Sequence, residues 1–98
     1  MTRPQATHEV LVNDDQVRVT RWDFAPGAET GWHRHGMDYV ITTITPWHML
    51  LEEPGGGDRR VDFKAGDAYR RMEGVEHNGI NGGDQAMSFV EIELKAQG

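Results

Sequence analysis

Ninety-eight residues point to one domain, and an apolar share of 37% limits it to a small core. Sixteen acidic residues against 10 basic give a formal net charge of −6 with no basic run, which argues against a nucleic-acid partner. The absence of cysteine excludes disulfides, thiolate metal ligands and cysteine nucleophiles.

In chain order, residues 1–8 read as a flexible arm, or as an edge strand that orders against a neighbouring copy. This stretch has no apolar targeting segment, and no run approaches membrane-spanning length. A cytoplasmic protein with no membrane partner is the expectation. Glu9 to Val12 turns apolar before the Asn13-Asp14-Asp15 turn. Val17 to Phe24 alternates as a strand, with a change of phase near Arg21 that predicts a bulge there. Pro26-Gly27 ends it. Tyr39 to Ile44 is β-branched, and Trp47 to Glu52 and Arg59 to Phe63 flank a glycine loop as a hairpin. Gly55-Gly56-Gly57 is followed by neither lysine nor helix, so it is a turn and not a phosphate cradle.

Ala68 to Met72, His77 to Ile80 and Met87 to Leu94 complete the strands. The last alternates cleanly, with Ser88, Val90, Ile92 and Leu94 on one face and Met87, Phe89, Glu91 and Glu93 on the other. Glu91 and Glu93 share a face with Phe89: were that face the barrel interior, Glu91 would be a candidate acid/base or a support to the ligands, but the surface reading is preferred for both. No segment has helical periodicity. The fold class is all-β, and so small a strand-rich chain is expected to cover its edges by forming a homodimer.

The chemistry centres on His33 and His35. One residue apart on an extended chain, both imidazoles face the same side, as two cis metal ligands require. Further on, Gly66 and Gly74 precede His77, and Asn81 follows it. A third neutral imidazole would complete an N₃ site with open positions for water or ligand. His8, in the arm, and His48, on a hairpin strand, fall outside both stretches and read as structural or exposed.

Taken together, these stretches resemble the two motifs of the cupin superfamily. Gly27, His33 and His35 match the first motif, and Gly66, Gly74, His77 and Asn81 match the second, with Met72 where proline usually stands. The resemblance implies a double-stranded β-helix, the jelly-roll barrel, as one cupin domain over residues 1–98. It also implies one divalent metal per chain on His33, His35 and His77, with iron first and zinc, nickel, manganese or copper as alternatives. The chain departs from the pattern where the usual glutamate should stand. Positions 39 and 40 are Tyr39 and Val40, so the fourth protein ligand is missing and the site resembles that of three-histidine cupins, some of which are Fe(II) dioxygenases. Asp38 has the wrong phase to replace the glutamate.

Tyr39 then has two readings: a hydrogen-bond donor to substrate, or an aromatic ring packed on the barrel wall. Either Arg71 or Arg70, but not both, can face inward to clamp a carboxylate; Arg71 is the substrate-binding candidate. Trp32 faces away from the ligands and reads as core or dimer packing. The sequences R-V-T-R-W, P-G-A-E-T-G-W-H-R-H, G-V-E-H-N and F-V-E-I-E-L-K look like small bacterial cupins associated with β-alanine degradation. The resemblance thus implies an oxygenase or other metal-dependent enzyme acting on a small carboxylated metabolite of amino-acid or amine catabolism. The alternative is a non-catalytic module that binds or senses such a ligand.

Overall fold

The computed structural model describes residues 2–95. Nine strands run in chain order: β1 (Thr7–Asn13), β2 (Val17–Phe24), β3 (Glu29–Arg34), β4 (Asp38–Thr43), β5 (Trp47–Glu52), β6 (Asp58–Phe63), β7 (Ala68–Arg71), β8 (Glu76–Asn81) and β9 (Met87–Leu94). They form two antiparallel sheets, ordered β1-β2-β9-β4-β7 and β3-β8-β5-β6. Among the described residues there is no helix, and hence none long and apolar enough to cross a membrane. The all-β expectation holds in full.

Strand alternation builds the core. Tyr39, Ile41 and Thr43 of β4 and Trp47, Met49 and Leu51 of β5 turn inward and are buried, while their neighbours are more exposed. Phe24, Trp47 and Phe89 close one end as an aromatic cluster, with Phe24 to Phe89 at 5.5 Å and Trp47 edge-on to Phe89 at 4.9 Å. Gly27, Gly66 and Gly74 all take positive φ, so the motif glycines stand at turns that L side chains rarely adopt. Asn81 is structural: its amide donates to the Gln85 carbonyl at 2.8 Å, and its side-chain oxygen accepts from Gly83 N at 3.0 Å.

Several expectations need correction. The bulge lies in β1, between Val10 and Val12, and not near Arg21; β2 pairs with β9 in unbroken register from Val17 to Phe24. An edge strand exposed along its whole length tolerates the extra residue, whereas β2 is hydrogen-bonded on both sides. The inward face of β9 is the one carrying Met87, Phe89, Glu91 and Glu93, so the two glutamates are not surface groups. Trp32 is 55% exposed and takes no part in the core.

The arm divides. Glu29 N donates to the Pro4 carbonyl and Ala6 N to the Glu29 carbonyl, both at 2.9 Å. Arg3 reaches the Glu29 carboxylate at 3.0 Å. Thr7 and His8 already belong to β1, and Met1 lies outside the described residues.

Candidate metal centre

His33 sits on β3 directly opposite His77 on β8. His35 follows just beyond the end of β3, where its backbone N donates to the Val75 carbonyl and its own carbonyl accepts from Gly74 N, both at 2.8 Å. This pair of bonds folds the Gly74 turn onto the H-x-H stretch, bringing the two motifs together. The three rings converge. His33 Nε2 lies 3.0 Å from His35 Nε2, which lies 3.1 Å from His77 Nε2.

Imidazole nitrogens this close need a proton or a cation shared between them. Cis ligands at about 2.1 Å around an octahedral centre stand about 3.0 Å apart, so these separations suit a common cation. All three ligand atoms lie within 4.8 Å of one another. The tautomer of His33 is fixed: Nδ1 is 2.8 Å from the Gly31 carbonyl, which only accepts, so Nδ1 carries the proton and Nε2 presents its lone pair.

Burial, with the neighbouring charges of His33 and then His77, pushes the His35 pKa down from 6.5 to about 3. Burial, with His33 and then Arg71, pushes His77 down to about 4. Both rings are therefore neutral and available as ligands over the ordinary pH range.

The other candidates are placed as follows. Tyr39 stacks on His35 at 3.9 Å and 17°, and its buried hydroxyl has no hydrogen-bond partner. Burial pushes its pKa up to about 12, with Arg71 opposing that rise. Arg71 pairs with Tyr39 across β7 and β4, on the same face, but lines neither cavity. Arg70 faces the other way and bonds Asp38 at 3.1 Å; Asp38 also accepts from Glu73 N at 2.7 Å. Asp38 is thus held outside the site. His48 pairs with Asp62 at the surface.

Two cavities meet at the histidines. An outer one of about 440 Å³ is lined by His33, His35, Trp22, Arg18, Glu91 and Glu93, among others. An inner chamber of about 40 Å³ lies among Trp22, Tyr39, Trp47, His77 and Glu91. Glu93 is held by Arg18 at 2.7 Å. Glu91 approaches His35 Nδ1 at 3.8 Å, and burial together with the Glu93 charge pushes its pKa up to about 7, the Trp22 indole N–H drawing it back in part. Sequence reasoning preferred the surface for Glu91; His8, read as structural or exposed, is exposed and stacks on Trp22 at 4.7 Å beside the outer cavity. The signal for Glu91 was present: it shares a strand face with Phe89, which is 4% exposed.

No protein-family model matches the chain. It is 54% identical over 93 residues to the β-alanine degradation protein BauB of Pseudomonas aeruginosa, covering 95% of this chain and 97% of that one. The crystal structure of a cupin domain from Bordetella pertussis Tohama I superposes with a TM-score of 0.93 at 50% identity, over 98% of this chain and 99% of the other. A cupin from Methanocaldococcus jannaschii with a double-stranded β-helix fold aligns with a TM-score of 0.77 at 16% identity, over 93% and 81% of the two chains. The polyketide cyclase RemF of Streptomyces resistomycificus gives 0.74 at 22% identity, over 98% and 71%. The last two speak for the fold alone.

Proposed function

The chain belongs to the cupin superfamily, and on that premise we propose that it is a three-histidine metal protein acting on a small carboxylated metabolite of amino-acid or amine catabolism. The observation that carries this reading is the meeting of three imidazole nitrogens at 3.0 and 3.1 Å beside a cavity of metabolite size. His33, His35 and His77 would hold one divalent ion, with iron the first expectation and zinc, nickel, manganese or copper the others. Such an ion supplies open positions for an anionic ligand and, if redox-active, the means for oxygen chemistry.

The protein's own residues prepare the site. Burial keeps His35 and His77 unprotonated, the Gly31 carbonyl orients His33, and Tyr39 pins the His35 ring from its face. The relative's association with β-alanine degradation supports amine catabolism as the setting. Arg71 contributes positive charge felt at His35, His77 and Tyr39, in keeping with a carboxylated ligand.

A cytoplasmic homodimer is part of the same reading. β1 is exposed along its whole length, and Val12, Val19, Ile92 and Val40 form one outward apolar row across four strands. Light scattering should give twice the chain mass, and Val12→Lys should return a monomer; a monomeric parent protein would refute this part.

Metal content tests the central claim. Protein purified without chelators should hold close to one metal per chain by elemental analysis, and a redox-active metal should support oxygen consumption with small carboxylated amines, thiols or diketones. No metal, with none taken up on addition, overturns the metal reading. Metal without turnover, while ligand still perturbs its spectrum, replaces the enzyme with a binding module.

A further inference from the structure

Two glutamates stand two residues apart on the inward face of β9, and they differ in one respect. Glu93 is matched by Arg18 at 2.7 Å. Glu91 accepts no hydrogen bond of ordinary length among the described residues; the Trp22 indole N–H acts on it only from beyond that length, and the nearest basic group is His35 Nδ1 at 3.8 Å. Its side chain is only 13% exposed, and it lines both the outer cavity and the inner chamber. A carboxylate taken out of water without a partner is costly, and folded proteins keep one where something arrives to pair with it.

The chamber beside Glu91 has a complementary deficit. The hydroxyl of Tyr39, itself 2% exposed, and the indole N–H of Trp47 are buried without a partner, and the Trp22 N–H has only Glu91, beyond ordinary hydrogen-bond length. All three residues line that chamber. The indoles only donate, so they call for an acceptor oxygen. The indole face of Trp22 and the ring of Tyr39 also border the cavity, and aromatic faces attract cations. An unmatched acceptor and unmatched donors along one wall fit a ligand that carries both charges.

We infer that the site selects a short zwitterion, an amino acid whose ammonium group is received by Glu91 and whose carboxylate lies toward the metal and the unpaired donors. This rests on the proposed reading of the site as a centre for small carboxylated metabolites, and it adds the amine. Arg18 is already engaged by Glu93, so the one unmatched charge among the glutamates and Arg18 is negative. A plain carboxylate would leave Glu91 unpaired and place like charges together.

The probe pair is β-alanine and propanoate, which differ only in the ammonium group. Each is titrated calorimetrically into the protein as purified, and into Glu91→Gln, with metal content measured on both. β-Alanine should bind at least about tenfold more tightly than propanoate to the parent protein, and Glu91→Gln should shrink that ratio to about twofold or less while propanoate affinity holds or rises. Equal affinities in the parent protein, binding of neither probe, or a preference that survives Glu91→Gln would each overturn the inference. The two readings fail separately. Metal-free protein that still prefers β-alanine through Glu91 refutes the metal centre and upholds the ammonium site. Metal-loaded protein that ignores the amine does the reverse.

Discussion

The two ends of this barrel share strands yet obey different rules. On β9 the inward face runs from Met87 and Phe89 to Glu91 and Glu93 within eight residues. At the Phe89 end, Phe24, Trp47, Phe63, Tyr69 and Phe89 pack as rings, with centroids 4.9 to 5.8 Å apart. At the Glu91 end the outer cavity is lined by His33 and His35, by Glu91 and Glu93 and by Arg18, with His77 on the inner chamber behind. The apolar end supplies the rigidity that lets the polar end keep charged and unpaired groups in fixed positions. If the proposed site is the functional one, stability is concentrated at one end and function at the other, and substitutions at the two ends should separate these properties.

The largest expected effect is at the polar end. His77→Ala should lower metal affinity by more than about a hundredfold, since even residues supporting a ligand cost 10- to 100-fold. Circular dichroism should stay near native, because the gap left opens onto an existing chamber. A native spectrum with full metal occupancy would break the ligand assignment. At the apolar end Phe89→Ala should do the opposite, costing about 3–5 kcal/mol in denaturant titration. The remaining folded fraction should keep its metal, which elemental analysis on folded protein checks.

The same contrast explains what was legible in the sequence. Seven of the nine strands, β2 and β4 to β9, could be read from alternation and turn residues, and the histidine trio from motif spacing, because both signals are local and periodic. Glu91 was legible only as the less favoured of two readings. Alternation on β9 defines two faces without saying which is inside, and the usual tie-breaker is that charge faces water. In a barrel whose interior is partly a polar cavity that rule inverts: Glu93 is 7% exposed while Val90, Ile92 and Leu94 lie half-buried on the outside. The core reading of Trp32 falls for the mirror reason, since it is an aromatic on the solvent side of β3, which leaves dimer packing as its other reading. The bulge was misplaced because a change of hydrophobic phase marks side-chain chemistry, whereas β2 is held in register by both neighbours.

A smaller effect, but one with a defined sign, is the pH dependence of the metal-stripped protein. His35 and His77 have folded pKa values of about 3 and about 4 against an ordinary 6.5. As pH falls below 6.5 the unfolded chain binds two protons that the folded chain refuses, so stability drops toward pH 4. Glu91 acts the other way. Raised from 4.5 to about 7, it holds a proton in the folded state that the unfolded chain releases, so its contribution falls as pH rises through that window. Two histidines outweigh one glutamate, and urea midpoints should rise from pH 4 to pH 6.5 and then level or dip slightly. Glu91→Gln should remove the opposing proton and steepen the climb. A midpoint that is flat over this range would mean the imidazoles are not buried neutral.

The finest test falls where the two ends meet, at Tyr39. Its ring stacks on His35 toward the metal centre, and its neighbour two residues along β4, Ile41, belongs to the apolar core. Tyr39→Phe keeps the ring and the stack and deletes only a hydroxyl that has no protein partner. Nothing in the folded protein is left unpaired by that deletion, so stability should stay within about 1 kcal/mol of the parent, on the favourable side if the chamber is dry. Ligand binding separates the two roles open to this residue. If the hydroxyl donates to the ligand carboxylate, β-alanine should bind about fivefold more weakly to Tyr39→Phe, the value of one neutral hydrogen bond, with metal content unchanged. If affinity does not move, Tyr39 belongs to the apolar end after all, a wall for His35 whose hydroxyl is carried without use.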